Sequence, residues 1–124
     1  MDKANKNNVL SAKDKLKLVY NALDSKKAAD IKMIDISGIT TIADYFIIAS
    51  ASNENQLNAC VEEVEHVLTR SGFHPPKSEG RRGSGWVLID CSDVVVHIFL
   101  TEDREFYDIE RIWADGIDVD ASGF

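Results

Sequence analysis

The stretch GWVLIDCSDVVVHIF, residues 85–99, constrains the fold of this chain more than any other part of it. Its two apolar runs, WVLID and VVVHIFL, flank Cys91-Ser92-Asp93-Val94, so a β-hairpin with Ser92 and Asp93 at the centre of its turn is the natural reading. Directly opposed residues of a hairpin share a face. One face then collects Val87, Ile89, Cys91, Val94, Val96 and Ile98, all apolar; the other collects Trp86, Leu88, Asp90, Val95, His97 and Phe99. A slip of one residue would mix the two sets, so the clean division itself supports the register. The first face must lie in the core. The second mixes aromatic, aliphatic and ionisable groups, which suits a partner-binding patch in which aromatics anchor and a few polar groups set orientation. It equally suits a smaller core layer with Asp90 and His97 hydrogen-bonded at its rim, or a site of chemistry.

The remaining elements read outward from that hairpin. Residues 1–10 are polar, rich in Asn and Lys, and expected to be a disordered segment. Ser11 is the candidate cap of a helix to about Lys27, buried along Leu16, Val19, Tyr20 and Leu23. DIKMIDIS and DYFIIAS read as strands, the first broken at Ser37-Gly38. A second helix spans about Glu54–Ser71, with Leu57, Cys60, Val61, Val64, Val67 and Leu68 at intervals of three and four, and Gly72 stops it. FHPPKSEGRRGSG carries every local signal of a loop. After the hairpin, Asp103 is the candidate cap of a short helix turning Phe106, Ile109 and Trp113 inward, and residues 116–124 read as a loose tail. The order α-β-β-α-β-β-α predicts a single α+β layered domain over residues 11–115, a mixed sheet of about four to five strands with helices packed on it.

Charge narrows the partners. The net charge of −7 disfavours free DNA or an anionic membrane surface and favours a basic partner, such as a protein that itself associates with nucleic acid. No apolar run approaches the ~20 residues of a membrane span. The first residues, MDKANKNNVL, lack the apolar run of a secretory signal, so a cytoplasmic location is expected. The two cysteines, Cys60 and Cys91, fit reduced core positions.

Three blocks, ADYFIIASAS, EGRRGSGWVLIDCSDVVVHIFL and REFYDIERIW, resemble successive blocks of the iojap family, the bacterial ribosomal silencing factors, in the same order and spacing over roughly residues 13–115. The resemblance implies a translation repressor that binds the large ribosomal subunit through its ribosomal protein fourteen and sterically blocks joining of the small subunit. It implies a nucleotidyltransferase-like α+β fold without catalytic residues, and a homodimer when the protein is free. Position by position, Trp86, Leu88 and Asp90 match the family's tryptophan-strand motif, implicated in contact with the ribosomal protein. Asp44 and Tyr45 match its ADY block, and Asp93, His97, Arg104 and Tyr107 match other recurrent polar or aromatic positions. This chain departs from the pattern at Ser92, where glycine is usual, and at Asn55, where a basic residue often precedes the glutamine, here Gln56.

Two rival classes follow from the same residues. A metal-dependent nucleotidyltransferase needs a Gly-Ser turn followed by carboxylates alternating on one strand, so that both reach one pair of metal ions. Gly83-Ser84 is followed by Asp90 and Asp93, whose spacing of three sets them on either side of a turn; Asp118 and Asp120 alternate, but in the expected tail. A homodimeric scaffold using the Trp86 face on itself is the other. His66 shares a helix face with Glu62, His74 precedes two prolines, and no His or Cys pair has ligand spacing, so neither a metal nor a cofactor is expected. Arg81-Arg82 is the single adjacent arginine pair, a solvated loop or a minor contact to rRNA phosphate.

Overall fold

A computed structural model describes residues 11–73, 76–80 and 85–124. Helix α1, Ala12–Ser25, opens on a capping box: the Ser11 hydroxyl accepts the Asp14 N–H at 3.2 Å, and the Asp14 carboxylate accepts the Ser11 N–H at 3.0 Å. Strands β1, Ala29–Asp35, and β2, Tyr45–Ala51, follow, and then helix α2, Glu54–Arg70. Asn53 caps α2 through the Gln56 N–H at 2.8 Å. The Gln56 amide reaches across to the carbonyls of Lys26 and Lys27, at 3.1 and 2.9 Å, tying the start of α2 to the end of α1.

Strands β3, Lys77–Glu79, β4, Trp86–Asp90, and β5, Val94–Leu100, precede helix α3, Thr101–Tyr107, a 3-10 turn over Ile109–Trp113, and β6, Ile117–Asp118. The strands form one sheet in the order β3-β4-β5-β2-β1-β6. β2 and β5 run parallel, and every other neighbouring pair is antiparallel. This is the α+β layered domain that the sequence predicts. Helices α1 and α2 cover one face over Leu16, Leu23, Val64, Ile47, Ile89 and Val96, all fully buried. On the other face α3 and the 3-10 turn cover the β1-β2-β5 side, where Ile34, Ile48, Phe46, Phe99 and Ile109 form a second, smaller core. Cys60 and Cys91 are buried free thiols, in agreement with the sequence reading.

Four expectations change. The sheet has six strands, because Lys77–Glu79, inside the expected loop, pairs with β4 through Lys77↔Asp90 and Glu79↔Leu88. The expected loose tail is docked: Ile117–Asp118 pairs with β1, and Val119, Ala121 and Phe124 pack against the main core, with the Phe124 ring edge-on to Tyr20 at 5.7 Å. Helix α3 starts at Thr101, directly out of β5, so Leu100 rather than Asp103 occupies the cap position. Phe106, expected inward, is 79% exposed. Asp108 has φ +46 and ends α3, so the helical phase restarts before Ile109 and Trp113, which do turn inward. Residues 1–10, His74, Arg81 and Arg82 lie outside the described residues.

Candidate functional site

The β4–β5 hairpin pairs Trp86 with Phe99, Leu88 with His97 and Asp90 with Val95, and the Cys91 N–H closes the turn on the Val94 carbonyl at 3.0 Å. That is the register read from the alternation of residue types. Ser92 takes φ +74, a left-handed conformation at the first central position of the turn, which explains why glycine is the easier residue there. The Asp90 carboxylate steadies the turn by accepting the Ser92 N–H at 2.9 Å.

All six residues of the first face belong to the main core. The second face is divided. Phe99 is fully buried and His97 is 7% exposed, both beneath the smaller core, while Trp86, Leu88 and Val95 are half-buried and Asp90 is exposed. The Trp86 indole stacks on Phe99, with ring centres 5.0 Å apart and planes 22° apart, and leans on Tyr107 at 5.0 Å. Its Nε1–H donates to His97 Nδ1 at 3.0 Å. Indole nitrogen can only donate, so His97 Nδ1 carries no proton and the neutral ring holds its hydrogen on Nε2. Burial pushes the His97 pKa down to about 4, which keeps the ring in that neutral form near pH 7.

A strip of exposed and half-buried side chains results. It runs from Phe106, edge-on to Tyr107 at 5.1 Å, through Tyr107 and Trp86 to Leu88 and Asp90. Strand β3 adds Lys77 beside Asp90 and Glu79 beside Leu88 on the same face. The sequence reading missed Phe106, Lys77 and Glu79 as members of this surface. β3 is the element that contributes two of them, and its three residues carry no strand signal of their own.

The other predicted residues sit elsewhere. Tyr45 pairs with Val94 and packs on the helix-covered core, so its side chain is on the opposite face of the sheet from Trp86. Burial, followed by the nearby Asp35 and Asp44 carboxylates, raises its pKa. Asp44 is exposed at the turn end of the hairpin, six residues of strand or roughly 20 Å along the sheet from the level of Trp86. The backbone N–H groups of Asp44 and Tyr45 both donate to the Asp93 carbonyl, at 2.8 and 3.1 Å, so the ADY block is fastened to the turn. The Asp93 carboxylate pairs with Lys15 at 2.7 Å, and the same ammonium donates to the Cys91 carbonyl at 2.8 Å. Arg104 is taken up inside the domain: its guanidinium donates to the Asp30 carbonyl at 2.6 Å, the Ser50 hydroxyl at 2.9 Å and the Glu110 carboxylate at 3.1 Å. With a side chain only 12% exposed, it anchors α3 to β1 and β2. The structure therefore does not extend the Trp86 face by Asp44 and Tyr45: Trp86, Leu88, Asp90 and Tyr107 lie together, with His97 beneath them, and Asp44 and Tyr45 lie apart.

Asp90 and Asp93 do not converge, since one caps the Ser92 N–H and the other holds Lys15. Among the described residues no group of three His, Cys, Asp or Glu is arranged to hold a metal ion, and no helix is long and apolar enough to cross a membrane.

Residues 9–123 match the model of a family described as ribosomal silencing factor during starvation. The chain belongs to this family. Ribosomal silencing factor of Halalkalibacterium halodurans is 37% identical over 114 residues, covering 92% of this chain and 97% of that one. A mouse protein named for mitochondrial assembly of the ribosomal large subunit is 30% identical over 108 residues, 84% of this chain and 47% of that one. Among solved structures, a Chromobacterium violaceum protein superposes with a TM-score of 0.79 at 35% identity, over 82% of this chain and 85% of that one.

Proposed function

We propose that this protein represses translation by binding the large ribosomal subunit, chiefly its ribosomal protein fourteen, and blocking joining of the small subunit. Membership of the ribosomal silencing factor family supports a ribosomal target, and the name of the mouse relative points to the large subunit. The observation that carries the reading is the open strip Trp86-Leu88-Asp90-Tyr107, because the residues of the tryptophan-strand motif form one accessible, amphiphilic face. The net charge of −7 suits a basic ribosomal protein, with Asp90 at the rim to meet a Lys or Arg. Asp44 and Asp93, at the turn end, are peripheral contacts in this reading. Tyr45, Arg104 and His97 support the scaffold from below or behind. Arg81 and Arg82 add a minor contact to rRNA.

The protein acts in the cytoplasm by occupancy alone, without catalysis, and is a homodimer when free. Co-sedimentation with purified subunits tests the reading. The protein should pellet with large subunits, not with small ones, and should reduce formation of whole ribosomes when the subunits are mixed. Equal pelleting with small subunits, or unhindered joining at saturating protein, would refute it.

A further inference from the structure

The Trp86 indole is the largest ring on the open strip, and its contacts include two of different kinds. The first is apolar, the stack on Phe99 and the lean on Tyr107. The second is directional, the bond from Nε1–H to His97 Nδ1. Stacking does not distinguish an indole from the same indole turned over, since either orientation covers Phe99 with similar apolar area. The hydrogen bond does distinguish them, because only one orientation points Nε1 at His97. The hairpin register makes this meeting possible: His97 faces Leu88 across the ladder, which leaves Trp86 as its diagonal neighbour on the same face, within reach of long aromatic side chains. His97 itself is enclosed, 4.8 Å from the Phe46 ring centre, and offers almost no surface to a partner.

We propose that His97 is a positioning residue for partner binding, selecting the orientation in which Trp86 meets the large subunit without touching the subunit itself. The inference rests on the Trp86 strip being the binding surface. It gives a distinct reason for a histidine in an otherwise apolar strand. The position needs a flat ring that packs among Phe46, Phe99 and Trp86 and also presents an acceptor nitrogen. Phenylalanine meets the first requirement and fails the second. A protonated imidazole would set N–H against N–H, and burial holds the ring neutral.

The test has one readout in the free protein and one in the complex. His97→Phe keeps a ring and removes the acceptor; His97→Leu also removes the acceptor, with less bulk, should the larger ring disturb folding. His97→Asn restores an acceptor near the place of Nδ1. In the nitrogen–proton spectrum of the free protein, with the Trp86 and Trp113 indole signals separated by Trp113→Phe, the Trp86 indole proton should lie downfield and exchange slowly. That signature should be lost in His97→Phe and His97→Leu and regained in His97→Asn. Affinity for purified large subunits should fall about tenfold in the first two, the worth of one lost hydrogen bond, and recover to within about threefold in His97→Asn. An unchanged indole signal in His97→Phe and His97→Leu overturns the positioning role. So does unchanged affinity in those variants when Trp86→Ala binds weakly. Unchanged affinity in Trp86→Ala would overturn the strip as the binding surface, and the positioning role with it.

Discussion

Strand β4 alternates between the core and the open strip, so neighbouring substitutions should separate folding from binding. Ile89 is fully buried under the helices. Ile89→Ala removes buried methyl and methylene groups from a packed layer and should cost about 2–4 kcal/mol of stability. Leu88, one residue earlier, points to the opposite face and is only half-buried. Roughly half of its transfer free energy is gained on folding, so Leu88→Ala should cost about 1 kcal/mol. The rest of its surface is available to a partner, and losing it should weaken binding by about 1.5 kcal/mol, roughly tenfold. Trp86→Ala is a blunter tool. The indole packs on Phe99 and Tyr107 and bonds to His97, so its removal should lower both stability and affinity. The assay pairs a urea midpoint followed by circular dichroism with a dissociation constant for large subunits, for each variant. If Leu88→Ala unfolds as early as Ile89→Ala while its folded fraction binds like the unmodified chain, the strip is only core and the reasoning fails.

Ser92→Gly should raise stability by about 0.5–1 kcal/mol, because Ser92 sits at φ +74; a lowered denaturation midpoint would contradict this. Lys15→Met should cost about 2 kcal/mol. It leaves the buried Cys91 carbonyl without its 2.8 Å donor and the Asp93 carboxylate, 37% exposed, without its partner, and a double-mutant cycle with Asp93→Asn should return a favourable coupling. Acid should destabilise the domain through His97. Its folded pKa of about 4 lies below the ordinary value of 6.5, so the unfolded chain binds the extra proton first. This contribution is nil above about pH 7 and grows by about 1.4 kcal/mol per unit as pH falls from 6.5 to 4. Denaturation midpoints across that range should flatten in His97→Phe, and parallel curves for the two proteins would refute the assignment.

The hairpin was legible in the sequence because it obeys two local rules at once, period-two alternation and a two-residue turn. The first two helices were legible for the same kind of reason, through Ser11 at the cap of the first and apolar residues at intervals of three and four in both. What escaped depends on partners distant in sequence. Lys77–Glu79 is a strand only because β4 lies beside it, and Ile117–Asp118 only because β1 has an open edge. Tyr45 alternates in phase with Ile47 and Ala49, but which side of the hairpin that phase faces is decided by the parallel pairing of β2 with β5. Phe106 was misplaced because helical spacing was carried across Asp108, whose left-handed backbone resets the phase. The three acceptors that hold Arg104 come from separate segments, so its place inside the domain is not legible from local sequence.

The central claim is that the Trp86 strip meets the large subunit at ribosomal protein fourteen. The most direct measurement is photo-crosslinking from position 88, with Leu88 replaced by p-benzoylphenylalanine in the full chain bound to purified large subunits, and the same group at position 62 on the helix-covered side as control. Glu62 is exposed on α2, on the far side of the sheet from the strip. The account predicts a crosslink from position 88 to ribosomal protein fourteen and none from position 62. Crosslinks from position 62 alone, or from position 88 to a different ribosomal protein, would contradict it.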